Sequence, residues 1–354
     1  MVENNTSSPF SGEELKKLTF LEILSLLSPG KGLRKALDDI LNGEMGALIV
    51  IDSLVLKEFF EGGFRVNCKF TPQRLAELAK MDGAIILSSD LNKILFANTL
   101  LVPDKGILSN ETGTRHKAAE RIAKQTGTWT IAVSERRHKI TLYYEDRKYV
   151  LQDSESLIRR ATETLNILEK QREIFDDLLT NLNVLEITNL VSVGDICSVL
   201  QRIEIITKIL NNLRRVLIEL GSEGAIVKMR IRELFRDLDE VRERIIIDYF
   251  DRSNTAKRIL SGMTFDSLLD ISSLADRLFG LSLDSKAFSK GYRLLSKIRL
   301  NKEEIILFKD NFKSLAEVLN ASDDELNGVF RDSKDTFKRE LNNLREQIMV
   351  GKKI

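Results

Sequence analysis

Apolar positions fall into different rhythms along the chain. Gly46-Ala-Leu-Ile-Val-Ile51 is one unbroken run, as expected of a buried strand. Ala84–Ser89 and Lys93–Asn98 are two more short runs, and Asp90-Leu-Asn92 between them reads as a hairpin turn. Leu101-Val-Pro-Asp104 is expected to be a loop, and Thr128–Val133, Ile140–Tyr144 and Tyr149–Leu151 complete the strands. Helical spacing appears between them. Leu15, Leu18, Leu21, Ile23, Leu24 and Leu27 predict a helix from about Glu13 that stops at Pro29-Gly30, and Leu33–Leu41 predicts another that closes on Asn42-Gly43. Thr71-Pro72 places an N-cap before a first-turn proline and opens a helix to Lys80; Arg115–Gln125 is a fourth. Helices and strands in this mixed order predict an α+β head, a mixed β-sheet flanked by helices.

After Ser154 the period lengthens. Leu157, Ala161, Leu165, Leu168, Phe175 and Leu179 recur every three or four residues, and Ile196, Val199, Leu200, Ile203, Ile206, Leu210, Leu213 and Leu217 repeat the pattern. Gly221-Ser-Glu-Gly224 interrupts it and Ala225–Tyr249 resumes it. Long amphipathic helices with short breaks predict a helical spine. Proline blocks helix interiors, and all four prolines precede Asp104. Short helices follow from about Lys286. The expected division is a head over 1–151, a spine over 152–285, and a small, mildly basic module over 286–354.

Composition narrows the function. The chain has 354 residues and a formal net charge of +1, so any contact with nucleic acid must be local. Cys68 and Cys197 are too few for a disulfide framework and read as thiols in a reducing cytosol. No apolar run is long enough to span a bilayer, and Met1–Gly12 lacks the apolar core of a secretory signal. A cytoplasmic protein with no membrane partner is expected. Two scattered histidines and two cysteines do not predict a zinc site. There is no G-x-x-x-x-G-K-S/T loop, no G-x-G-x-x-G after a strand and no G-x-S-x-G, which disfavours the familiar ATPases, dehydrogenases and hydrolases.

Three pieces carry candidate chemistry. Thr112-Gly113-Thr114 runs into a helix start, where free N–H groups and the positive dipole end attract an anion. Arg115, His116 and Lys117 add cations at the end of a helix where cations are disfavoured, unless an anion joins them. A solvated basic first turn reads the same residues equally well. Asp82, before Gly83 and the strand opening at Ala84, can hold Mg²⁺ or Mn²⁺ or draw a proton from a hydroxyl; an ordinary Asp-Gly turn is the competing reading. Ser134, Arg136 and Arg137 end a strand and offer a hydroxyl and two guanidinium forks for phosphate oxygens, or simply a charged turn.

Taken in order, Asp82-Gly83-Ala84, then Gly113-Thr114-Arg115-His116 opening a helix, then Val133-Ser134, resemble the diadenylate cyclase domain. Ser28-Pro-Gly30, Leu33-Arg-Lys-Ala-Leu-Asp-Asp39, Gly46-Ala-Leu48, Leu101-Val-Pro-Asp104 and, further on, Gly291-Tyr-Arg-Leu-Leu295 extend the likeness to the DNA-integrity-scanning diadenylate cyclase family. The resemblance implies condensation of two ATP molecules into cyclic di-AMP with release of two pyrophosphates. It implies Asp82 at the metal and the attacking 3′-hydroxyl, and Gly83, Ala84 and Leu101 along adenine and ribose. It implies phosphates on Thr114, Arg115, His116 and Lys117, and the triphosphate tail on Ser134, Arg136 and Arg137. It further implies a homo-octamer with outward helix-hairpin-helix modules that bind branched DNA. Three positions depart from the family pattern: Lys117 stands for an arginine, Ala118 for a threonine, and Glu135 where some relatives carry arginine. The segment aligned with the DNA-gripping hairpin, Gly328-Val-Phe-Arg-Asp-Ser-Lys334, lacks its paired glycines; Lys334, Lys338 and Arg339 remain as phosphate contacts or as a solvated helix face. A nucleotide- or DNA-binding scaffold with a decayed cyclase site is the alternative function.

Overall fold

Strand β1 (Ala47–Ile51) is buried at every position because it divides its side chains between two cores. Ala47, Ile49 and Ile51 face one core and Leu48 and Val50 the other. The computed structural model describes residues 18–298, 311–330 and 334–352. Its sheet adds β2 (Phe60–Glu61), β3 (Phe64–Lys69), β4 (Ala84–Leu87), β5 (Lys93–Leu101), β6 (Trp129–Ser134), β7 (Lys139–Tyr144) and β8 (Arg147–Val150). The spatial order is β2-β5-β4-β1-β6-β7-β8, with β3 also on β5; β1 and β4 are parallel and the other pairs antiparallel. Helices α1 (Phe20–Leu26), α2 (Gly32–Asn42) and α3 (Pro72–Leu78) fill the core on one face through Ile23, Leu24, Leu37, Ile40 and Leu75. Helix α4 (Thr114–Thr126) fills the other through Ala119, Ile122 and Ala123.

Two expectations change here. Helix α1 starts at Phe20 because Thr19 caps it, with Glu22 closing a capping box, so Leu18 lies outside it; residues 13–17 fall outside the described part. Strand β5 runs on through Leu101 rather than turning into a loop there, because Leu100 and Leu101 find partners in Glu61 and Phe60 of β2.

Helices α5 (Ser154–Thr188) and α6 (Val193–Leu220) form the long helical region. The expected single stretch Ala225–Tyr249 is two helices, α7 (Ala225–Leu234) and α8 (Leu238–Tyr249). The break is where Arg172 donates to the Leu234 carbonyl at 2.7 Å and to both Asp237 carboxylate oxygens at 2.7 and 3.0 Å. Shorter helices follow at Ser253–Gly262, Phe265–Leu269, Ile271–Phe279, Tyr292–Leu295, Leu315–Leu319, Asp323–Phe330 and Lys334–Met349.

The chain packs as two compact units. The first takes residues up to Ile158 together with Arg215–Gly224; the second takes Arg159–Arg214 and everything from Ala225 on. Within the first, buried Glu219 accepts hydrogen bonds from the Tyr149 hydroxyl (2.5 Å) and the Gln152 N–H (3.0 Å), and the Arg215 guanidinium lies 4.5 Å from the Tyr149 ring centre. Within the second, buried Arg293 donates to Asn183 (2.6 Å) and Glu186 (2.7 Å). Buried Asp248 there accepts from the N–H groups of Tyr292 (2.7 Å) and Arg293 (3.0 Å).

Candidate functional site

Gly83 sits at φ +91°, a left-handed conformation that costs any residue with a Cβ, and a Cβ there would stand 2.8 Å from the Asn98 carbonyl carbon. Glycine therefore lets the turn before β4 lie directly on β5. Buried Thr99 fixes the contact from the other strand, its hydroxyl donating to the Ala84 carbonyl at 2.9 Å. This turn holds the Asp82 side chain out in solvent, 99% exposed.

Arg115, in the first turn of α4, approaches Asp82 at 3.4 Å. Gly46 leaves room for its guanidinium, since any Cβ at that position would collide with it. An ion pair this exposed and this long contributes little to stability, so both groups are available to a ligand. Asp82, Gly83, Ala84, Leu101, Thr114 and Arg115 line one cleft of about 560 Å³, joined by Leu48, Thr99, Leu100 and Ala118. A larger hollow of about 800 Å³ on the α2 side is lined by Arg34 and Lys139 against Asp38 and Asp153, so its charges offset one another.

Gly113 caps α4 without a side-chain hydrogen bond, and the first turn carries no acid. The first internal bond runs from Lys117 N–H to the Gly113 carbonyl (2.9 Å), so the N–H groups of Thr114, Arg115 and His116 have no acceptor within the helix. The loop before α4 is tied to its outer face. Arg121 donates to the carbonyls of Ile107 (2.8 Å) and Lys105 (3.2 Å), Lys124 to that of Leu108 (3.1 Å), and Gln125 accepts from the Asp104 N–H (3.0 Å).

His116 is half-buried and meets the Tyr143 ring edge-on, with centres 6.3 Å apart. The Tyr143 hydroxyl donates to buried Glu111 at 2.9 Å, and Lys148 forms an ion pair with the same carboxylate. Burial lowers the His116 pKa, helped by the positive charges of Arg137, Lys148 and Arg115 and opposed by Glu111. Burial also works against an ionised Glu111, but the hydrogen bonds from Lys148 and Tyr143 outweigh it and leave its pKa below the ordinary value. Burial and the bond to Glu111 keep Tyr143 a phenol.

Ser134 ends β6 and accepts the Arg137 N–H at 3.3 Å. Arg136 and Arg137 are exposed on the β6–β7 turn, and Arg137 is near enough to act on His116. Of the expected site residues, His116, Lys117, Ser134, Arg136 and Arg137 do not line the cleft. Sequence reading gave no role to Thr99, Glu111, Tyr143 or Lys148. Glu111 directly precedes the Thr112-Gly113-Thr114 turn, and the others lie on β5, β7 and β8 with no motif to mark them.

In the second unit Gly328 is helical, within Asp323–Phe330, while Arg331, Asp332 and Ser333 lie outside the described residues. Lys338 is paired with Asp323, Lys334 stands 3.8 Å from it, and Arg339 is exposed. Among the described residues no group of three or more His, Cys, Asp or Glu could hold a metal ion, and no helix is long and apolar enough to cross a membrane.

Two family models match. Residues 34–148 match the DisA bacterial checkpoint controller nucleotide-binding domain, and residues 151–287 its linker region. The DNA integrity scanning protein DisA of Clostridium kluyveri is 40% identical over 349 residues, covering 96% of this chain and 99% of the relative. The DNA integrity scanning protein DisA of Acetivibrio thermocellus is 42% identical over 320 residues, covering 87% and 89%. Among solved structures, DacA of Staphylococcus aureus gives a TM-score of 0.31 at 25% identity, over 40% of this chain and 95% of that one. With the cyclase-type head matched by one model and the helical region by the other, and with full-length relatives this close, the chain belongs to the DisA family.

Proposed function

We propose that the chain is a diadenylate cyclase that condenses two ATP molecules into cyclic di-AMP and two pyrophosphates. The observation that carries this is the cleft in which Asp82, beside the Gly83 turn, meets Arg115 at the start of α4, where no side chain caps the helix. Adenine and ribose lie along Gly83, Ala84 and Leu101. Phosphate oxygens take the free N–H groups of the α4 start with Arg115, His116 and Lys117, and the triphosphate tail reaches Ser134, Arg136 and Arg137. Oxygen-seeking Mg²⁺ or Mn²⁺ fits this donor set: Asp82 would hold it with one exposed carboxylate, the remaining ligands coming from phosphates and water. When bound, the ion would neutralise phosphate charge. Asp82 receives the proton of the 3′-hydroxyl, and the ribose 3′-oxygen so freed forms the new bond to an α-phosphorus as the bond from that phosphorus to the α–β bridging oxygen breaks and pyrophosphate leaves. The acceptor phosphorus belongs to ATP on a facing protomer, so an isolated protomer is inactive, and catalysis is positioning with charge stabilisation.

The reading extends to a homo-octamer with the three-part division 1–151, 152–285 and 286–354. A helix-hairpin-helix-like module at the end couples the cyclase to branched DNA through Lys334, Lys338 and Arg339. The deciding experiment is chromatography of products after incubation with ATP and Mg²⁺ or Mn²⁺, beside Asp82→Asn. Cyclic di-AMP from the unaltered protein, and a loss of at least ~100-fold in the variant with ATP binding retained, is expected. Full activity in Asp82→Asn would remove that residue from the mechanism. No turnover in an oligomeric preparation would leave the nucleotide-binding scaffold. A branched-DNA shift assay across salt tests the DNA arm; a binding curve that ignores salt would overturn phosphate contact by the lysines.

A further inference from the structure

Beneath His116 lies a set of charged groups that the cyclase reading leaves without a role. Glu111 is 8% exposed, a depth at which carboxylates are rare unless paired. Its two bonded partners reach it from the sheet: Tyr143 from β7 at 2.9 Å, and Lys148 from β8 through an ion pair. It also belongs to the segment leading into α4, two residues before the Gly113 cap. The Tyr143 ring lies edge-on to His116, so Glu111 and His116 share one neighbour. Arg115 on its own helix, Arg137 on the β6–β7 turn and Lys148 on β8 act against protonation of His116, while Glu111 favours it.

We infer that Glu111, held by Tyr143 and Lys148, is a positioning residue that sets the charge of His116, letting it take up a proton from solvent when a polyphosphate docks on the α4 start. In the free protein partial burial and the three cations disfavour the imidazolium, with Glu111 opposing them. A docked polyphosphate offsets the cations, and Glu111 is then the fixed negative charge behind the ring. The imidazolium gives two N–H donors instead of one, which suits a pyrophosphate leaving group whose charge is rising. The proton returns to solvent as pyrophosphate departs. The role of the proton rests on the proposed cyclase reaction; the Glu111–His116 coupling does not.

The test reads His116 directly in the full-length protein. The chain has two histidines. Deuterium exchange at the imidazole Cε1 of His116, followed by peptide mass spectrometry across pH, gives its acid constant free of the other histidine. Inorganic pyrophosphate is the probe. His116 is expected to titrate below an ordinary histidine in the free protein and to move up, by about one unit, with pyrophosphate bound. Glu111→Gln keeps the shape and the Tyr143 acceptor but removes the charge, and should lower the His116 value by a three- to tenfold change in its acid constant, about half to one unit. Lys148→Met should move it the opposite way. A purely structural role would not give opposite signs from two partners of one ion pair. An unchanged His116 value in both variants, or a shift of one sign in both, overturns the proposal. The cyclase reading is judged separately, by product from the unaltered protein. Absence of cyclic di-AMP alongside the opposed shifts would sink that reading and keep this network.

Discussion

Replacing Gly83 with alanine tests the local geometry on which the site depends. The backbone there has φ +91°, and the new Cβ would meet the Asn98 carbonyl carbon at 2.8 Å, the Thr99 carbonyl oxygen at 2.9 Å and the Asn98 Cα at 3.0 Å. All three are backbone atoms of β5, so no side chain can swing aside. Left-handed strain adds about 1–2 kcal/mol and forced overlap in a packed region about 1–3 kcal/mol, together roughly 2–5 kcal/mol. For a unit of this size each kcal/mol moves Tm by about 2–4 °C, so the head should melt lower by on the order of 10 °C. Gly262→Ala is the control, since nothing lies within 4 Å of its Cβ position and its φ is not in the left-handed range. It should be neutral or stabilise by up to about 1 kcal/mol. Differential scanning calorimetry on both variants, with the two units followed as separate transitions, makes the measurement. A Gly83→Ala protein melting within 1 °C of the parent would refute the close approach of this turn to β5.

Thiol chemistry should separate the two cysteines. Burial pushes the Cys197 thiol up to about 12 and leaves it fully enclosed, whereas Cys68 is half-buried on β3. A chromogenic disulfide reagent should therefore label Cys68 alone in the native protein and both after unfolding; rapid native labelling of Cys197 would contradict its position. Asp248 gives a pH effect of definite sign. Burial and neighbouring Glu186 raise its pKa to about 7, although backbone N–H groups and Arg293 favour the charged form. A carboxyl with a raised folded pKa stabilises fully below its unfolded pKa, and that contribution is lost as pH rises through about 7. Urea unfolding of the second unit should thus weaken between pH 5 and 8, by at most ~1.4 kcal/mol per pH unit, with the slope flattened in Asp248→Asn; an equal slope in both proteins would exclude Asp248 as its source.

The central strands were legible because burial on both faces leaves unbroken apolar runs, and β1, β4 and β6 are where Gly46–Ile51, Ala84–Ser89 and Thr128–Val133 placed them. The edge was not. In β3, four of six positions are exposed, so neither an apolar run nor a clean alternation marks it. The extension of β5 through Leu101 depends on β2, a pairing across some forty residues that no local pattern encodes. The cleft shows the same division. Asp82, Gly83, Thr114 and Arg115 announce themselves by local chemistry, whereas Glu111, Tyr143 and Lys148 converge only through sheet register, with Tyr143 paired to Lys148 across β7 and β8.

The ten residues Arg215–Gly224 impose an order of events on synthesis. They belong to the first compact unit although they are translated some sixty residues after Ile158. Until they leave the ribosome, Tyr149 lacks the Glu219 acceptor, and Ser28 and Gly30 lack the neighbours that Gly221 and Ser222 provide. The head of a nascent chain is therefore unfinished while α5 and most of α6 are being made. A fragment ending at residue 151 carries that unfinished state permanently. Expressing the head by itself would call for grafting the 215–224 segment back through a short linker.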